Sequence, residues 1–221
     1  FLFLSSKSKI LIDMSHDSVK YFKNFSKINN VYLLLGSIPI TENNKLFNRS
    51  ILINPDGDII SIYDKIHMFD ITLKNGESYK ESDFYSPGSE LKITKVLGHS
   101  VGHTICYDLR YPKLYRALAK KGSQIIVVPS AFTHTTGKAH WHSLIKARAI
   151  ENGVFILAPN QWGLNNEKRV TYGHTLIVDP WGETLAEAED GEMIIAAELD
   201  LNRVRECQNA IPVLDNDRNF D

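Results

Sequence analysis

Apolar residues recur along the chain at two spacings, and the switches between them predict its elements. Val19, Phe22, Phe25 and Ile28 fall on one side of a helix that Ser15 would cap and that ends near Asn29 and Asn30. VYLLLGSIPI follows as an unbroken apolar run of strand length, the pattern of a strand covered on both faces. FNRSILINPDGDIISIYDK reads as a hairpin, with Pro55 fixing φ, Asp56 favouring the turn and Gly57 supplying a positive φ; Lys65 closes its second strand. From Met68 to Glu90, turn formers and charges erase any periodicity, which predicts a long surface loop.

A short β-branched run then ends at Cys106, and a helical pattern takes over with Leu114, Ala117, Leu118 and Lys121, stopping at Gly122. QIIVVPSAF is another all-apolar strand, broken by Pro129 where a loop would begin. Ala139 to Asn152 is helical, Gly153 breaks it, and VFILAP resumes the strand pattern. After Tyr172 only strands remain: HTLIVDPWGETLAEA repeats the Pro-X-Gly hairpin around a packed Trp181, and EMIIAAELDL is a further strand. Strands flanked by amphipathic helices and joined partly by hairpins make an α/β layered sandwich, with no short internal repeat.

The totals narrow the class. With 221 residues, 43% of them hydrophobic, the chain is expected to form a single domain, 1–221. A net charge of −1 with acids and bases interspersed offers no basic stripe, so the expected partner is a small molecule and not nucleic acid. No apolar run approaches the roughly 20 residues that cross a bilayer, and FLFL is too short for a signal-peptide core. Two cysteines far apart argue for reduced thiols in a cytoplasmic setting. The start at Phe1, soon followed by a helical pattern, carries the expectation that an N-terminal strand and helix lie upstream.

Cys106 draws the chemistry. A thiol at a strand-to-helix turn meets backbone N–H groups that favour the thiolate and can later donate to an oxyanion, which suits acyl transfer; the alternative is a small buried hydrophobe. Lys65 could lower the thiol's pKa and steady the oxyanion, or be a surface lysine; Glu81 could hold that lysine, or be solvated. Arg110 could grip a substrate carboxylate in a bidentate fork. His134 or His103 could instead form a Cys–His dyad. His134, His140 and His142 raise a metal, but in a helix starting near Ala139 positions 140 and 142 point about 200° apart, and the i, i+4 spacing of zinc proteases is absent. No metal is expected, and Gly102, Gly122 and Gly137 form no phosphate cradle, so no cofactor either. Cys207 reads as a structural or surface thiol.

Taken together, YDKIHMFD, ESDFYSPG, HTICYDLRYP, IIVVPSAF, TGKAHWHSLIKARAIEN and YGHTLIVDPWGE resemble the nitrilase superfamily of carbon–nitrogen hydrolases, in order from Val31 to Pro212. The resemblance implies a four-layer α-β-β-α sandwich, a Glu-Lys-Cys triad and a homodimer or larger homo-oligomer. Carried over, the nucleophile is Cys106, the lysine Lys65 and its supporting glutamate Glu81, with Lys65 and the Tyr107 N–H on the oxyanion. Arg110, Phe132 and Thr133 would surround the substrate. The family's general-base glutamate, usually in a Pro-Glu pair, has no counterpart before Lys65; Glu42 comes too late and in the wrong context, so the base is expected upstream of Phe1. CYDLRYP resembles the amidases of small carboxylate-bearing amides. EKRVTYGHTLIVDPWGE resembles the deaminated-glutathione amidases, with ω-amidases for α-ketoglutaramate next. The implied function is amide hydrolysis through a cysteine thioester. The alternatives are a non-catalytic metabolite binder, if the base is absent, and an acyltransferase.

Overall fold

The computed structural model describes residues 12–74, 76–166 and 169–218; FLFL lies outside them, as do Glu167 and Lys168 of the EKRV stretch. The chain divides into two compact units between Lys92 and Ile93.

The first unit holds helix α1 (Asp17–Asn29) and strands β1 (Leu33–Glu42), β2 (Lys45–Ile53) and β3 (Ile59–Asp64), an antiparallel sheet in the order β1-β2-β3. The β2–β3 turn is as the sequence predicts: the Asn54 side-chain oxygen accepts the N–H groups of Asp56 and Asp58, and Gly57 takes φ +82°. A β-carbon at Gly57 would also press on the Lys23 carbonyl, so glycine lets α1 approach. Leu35, Ile51 and Ile53 form the core, with Met14, Leu33, Ile38 and Ile59 against it. β1 alternates between buried and half-buried positions and carries a bulge between Leu35 and Ile38, so the apolar run is not sealed on both faces.

Two expectations for α1 need correcting. Its N-cap is His16, whose Nδ1 accepts the Ser18 N–H; Ser15 bonds Asp13 instead. Val19 is buried, but Phe22, Phe25 and Ile28 are exposed at 37%, 40% and 72%. Steps of three residues fall about 60° short of a full turn, so the row winds round the helix and Ile28 ends opposite Val19. The stretch after Met68 is not a bare loop either. β4 (Asp70–Thr72) and β5 (Ser78–Lys80) pair antiparallel and lead into a 3₁₀ turn, Glu81–Asp83. Strands of three residues are too short for an alternation to show.

The second unit comprises β6 (Ile93–Val96), β7 (His99–His103), α2 (Pro112–Lys120), β8 (Ile125–Val127), α3 (His134–Asn152), β9 (Phe155–Ala158), β10 (Trp162–Asn166), β11 (Arg169–Tyr172), β12 (Leu176–Val178), β13 (Thr184–Glu187) and α4 (Asn202–Ala210). Six strands form one sheet in the order β13-β12-β9-β8-β7-β6. β7, β8 and β9 run parallel through the crossovers α2 and α3, and the outer pairs are antiparallel. β10 and β11 form a separate hairpin.

Helix α2 starts on Pro112 and buries Leu114, Tyr115, Leu118 and Ala119. α3 begins at His134, well before Ala139, because Gly137 sits inside it: a β-carbon there would collide with the Tyr172 ring, so glycine is required by packing and does not end the helix. Asp179 shapes the β12–β13 turn by accepting the N–H groups of Trp181 and Glu183. The Trp181 indole is half-exposed and not packed inside, and EMIIAAELDL forms no strand, with Ile194 98% exposed. Its alternation favours extended backbone, but among the described residues no strand edge pairs with it.

Candidate functional site

In the first unit the end of β3 delivers Lys65 to a buried anion. Its N–H donates to the Asn48 carbonyl at 2.9 Å and its own carbonyl accepts the Gly88 N–H at 2.8 Å, so the backbone is pinned on both sides. The side chain is fully buried, with Nζ 2.5 Å from Glu81 Oε2. The same oxygen accepts the Phe69 N–H at 2.7 Å, and Oε1 accepts the Asn48 amide at 3.0 Å. The Ser37 hydroxyl in turn donates to Asn48. Neither group is the solvated surface residue that its type would suggest. Burial, and then the Glu81 charge, push the Tyr85 hydroxyl up to about 12. Glu42 belongs elsewhere: with Asp64 it grips Arg49, whose guanidinium binds Asp64 through two nitrogens.

In the second unit β7 runs out at His103, and Cys106 opens a 3₁₀ turn, Cys106–Arg110, that precedes α2. Cys106 is buried and adopts φ +48°, the left-handed region that non-glycine residues rarely occupy. Several bonds impose it. The Cys106 N–H donates to the Pro129 carbonyl, and the buried Asp108 carboxylate accepts the Ile105 N–H at 2.9 Å. The Thr104 hydroxyl bonds the Val127 carbonyl and the Tyr115 hydroxyl. From α3, the buried Arg148 donates Nε to the Leu109 carbonyl at 2.9 Å.

Arg110 leaves the same turn with its guanidinium 5.4 Å from the centre of the Phe132 ring and 5.9 Å from that of Tyr107. Nη2 meets His140 Nδ1 at 3.3 Å, and among the described residues no carboxylate pairs with it. Burial lowers its pKa, against the opposing influence of Tyr107 and Cys106. Phe132 is buried against Trp141, and its N–H donates to Asn160 Oδ1. Thr133 is buried too, its hydroxyl against that of Thr136. Arg110, Tyr107 and Phe132 are thus brought together around Cys106's turn, and the expected lysine and glutamate are brought together in the other unit.

The histidines separate as their spacing predicts: His140 turns to Arg110, and His142 to Glu187 at 2.7 Å. His174 reaches the same Glu187 oxygen at 3.1 Å. Partial burial alone would raise the Glu187 carboxyl, but its bonds to the two imidazoles outweigh that and hold it below the ordinary carboxylate range. His103 is buried with Nε2 on Thr94, and the His134 ring meets Tyr172. Cys207, partly buried on α4, has its thiol pKa raised by burial. Asp108, Asn160 and Arg148 were not singled out by sequence. Asp108 has a local signature, a carboxylate three residues after the N–H it caps; Arg148 pairs locally with Glu151, but its bond to the turn, like the partners of Asn160, spans a long distance in the chain.

Residues 7–209 match the family model for carbon–nitrogen hydrolases. A curated protein of Yersinia enterocolitica named deaminated glutathione amidase is 39% identical over 192 residues, covering 85% of this chain and 67% of its own length. A Xenopus tropicalis protein named omega-amidase NIT2 is 36% identical over 197 residues, covering 89% of this chain and 71% of its own. Among solved structures, the C. elegans NitFhit protein matches 93% of this chain at 33% identity with a TM-score of 0.87, and the chain spans about half of it, 51%.

Proposed function

The chain belongs to the carbon–nitrogen hydrolase family, among relatives named amidases, and from that premise we propose that it hydrolyses small carboxylate-bearing amides with Cys106 as nucleophile. The thiolate attacks the amide carbonyl carbon, and the Lys65 ammonium and the Tyr107 N–H take the oxyanion. The C–N bond breaks, ammonia or an amine leaves carrying the proton that the thiol gave up on ionising, and an acyl-thioester remains on Cys106. Water then adds to the thioester, releasing the acid and restoring the thiol. Glu81 holds Lys65 in place. Arg110 receives the substrate carboxylate, with Phe132 and Thr133 beside the acyl chain.

The observation that carries this reading is the turn at Cys106. A buried thiol in a left-handed conformation, locked by Asp108 and Pro129, shares five residues with a guanidinium that rests on aromatic rings with no carboxylate partner among the described residues. The family match runs across both units, which supports reading 1–221 as parts of one hydrolase domain. Neither cysteine forms a disulfide, in keeping with a cytoplasmic setting, and assembly as a homodimer or larger homo-oligomer rests on the resemblance. Among substrates, deaminated-glutathione-like amides come first. The omega-amidase relative supports α-ketoglutaramate as the second.

The test is a panel of ω-amides and glutathione-like amides assayed on the full-length protein for release of ammonia or amine. Carboxylate-bearing amides should be cleaved and their neutral analogues spared. Equal turnover of both would remove Arg110 from the reading, and binding without turnover of any amide would favour a metabolite binder.

A further inference from the structure

His142 on α3, His174 ahead of β12 and Glu187 at the end of β13 converge from three elements of the second unit. Their ligand atoms all lie within 4.8 Å of one another, and among the described residues no other three histidine, cysteine or acidic side chains gather this way. His142 Nε2 and His174 Nδ1 stand 2.7 and 3.1 Å from the same Glu187 oxygen, and their rings are 5.4 Å apart, nearly edge to face. The amide reaction proposed above uses none of the three.

The backbone around the trio is built to hold it. His174 adopts φ +56°, a left-handed conformation in a residue with a β-carbon. Its carbonyl accepts the Trp141 indole N–H at 2.8 Å, and Trp141 is fully buried beside His142 in the same helix. One anchored turn of α3 therefore positions both imidazoles. The Tyr172 ring, 4.3 Å from His174 and 6.0 Å from His142, walls one side, and all three ligand side chains keep one edge open to solvent.

We propose that His142 Nε2, His174 Nδ1 and Glu187 form a binding site for a divalent transition metal, zinc above all, with a fourth position left to water. Two imidazoles and one carboxylate are the donor set that suits zinc, copper or nickel, whereas magnesium and calcium take oxygen ligands. At metal–ligand distances of about 2.0–2.2 Å, tetrahedral ligands sit about 3.3 Å from each other, and half-exposed side chains can open to that spacing by small rotations. Metal would displace the hydrogens that the two rings now direct at Glu187. His174 Nε2, left free for the ring's remaining proton when Nδ1 binds metal, stands 3.9 Å from the exposed Asp190 carboxylate.

The experiment is titration of the full-length, metal-stripped protein with Zn²⁺, followed by calorimetry and by competition with a chromophoric chelator. One equivalent should bind and raise the melting temperature. His142→Ala, His174→Ala and Glu187→Gln should each weaken binding about tenfold or more, with unchanged melting of the metal-free proteins. Cys106→Ala should bind as the unsubstituted protein does, which separates this site from the thiol and from the amidase reading. Cu²⁺ in its place should show two nitrogen ligands by electron paramagnetic resonance, reduced to one in His142→Ala. Absence of saturable binding, or unchanged affinity in the histidine variants, would overturn the proposal and leave the trio a hydrogen-bond network. If an alanine variant melts early, Glu187→Gln, which keeps side-chain volume, decides.

Discussion

Lys65 Nζ lies 2.5 Å from Glu81 Oε2, and neither side chain has any exposed surface. A buried ion pair gains little net stability, because desolvation of both charges offsets their attraction; breaking it from one side is what costs. Glu81→Ala should therefore lower unfolding stability by about 3–5 kcal/mol. Replacing both residues with apolar ones of similar volume should lose much less than the two single losses summed, measured by urea unfolding. Additive losses would show that the two groups do not depend on each other.

Arg110→Lys keeps the charge and loses the planar fork that can bind a carboxylate through two nitrogens. KM for carboxylate-bearing amides should rise several-fold while KM for neutral amides stays put. A KM indifferent to the substitution would place the substrate's carboxylate elsewhere.

Arg148→Met tests how the turn at Cys106 is held. It leaves the buried Leu109 carbonyl without its Nε donor, and should cost about 1–3 kcal/mol. Because that carbonyl belongs to the turn Cys106 opens, kcat should fall as well. A destabilised protein with unaltered kcat would mean the turn keeps its shape without the bond.

Glu42 supplies a pH signature. Its bond to Arg49 holds the carboxyl below its ordinary value near 4.5. A depressed folded-state pKa contributes stability that is present above 4.5 and lost as pH falls through the lower folded value. The side chain is half-exposed, so the stability difference between the unsubstituted protein and Glu42→Gln should be only about 0.2–1 kcal/mol at pH 7. That difference should vanish in acid. A difference that grows on acidification would reverse the sign of the coupling.

What could be seen in the sequence was whatever depends on neighbours in the chain. The turn from Asn54 to Asp58 is closed by its own residues, so Pro55 and Gly57 announce it. Cys106 stands where an apolar strand stops, and the sharp turn there follows. Depth of burial was not visible: Phe22, Phe25 and Ile28 follow Val19 at steps of three, and they lie outside while it is buried. EMIIAAELDL shows the same gap between pattern and partner. Asn160, which accepts the Phe132 N–H and donates to the Gly173 carbonyl, acts across distances in sequence that no local pattern encodes. The same holds for the convergence of His142, His174 and Glu187, where the visible pair, His140 and His142, was the one that diverges.

The most direct test of the account is intact-mass analysis of the protein during turnover of a carboxylate-bearing amide. The account expects an acyl adduct on the unsubstituted protein, mapped to Cys106 and sensitive to hydroxylamine as a thioester is. Cys106→Ala should carry no adduct and release no ammonia or amine. Continued hydrolysis by Cys106→Ala, or an adduct on any other residue, would contradict it.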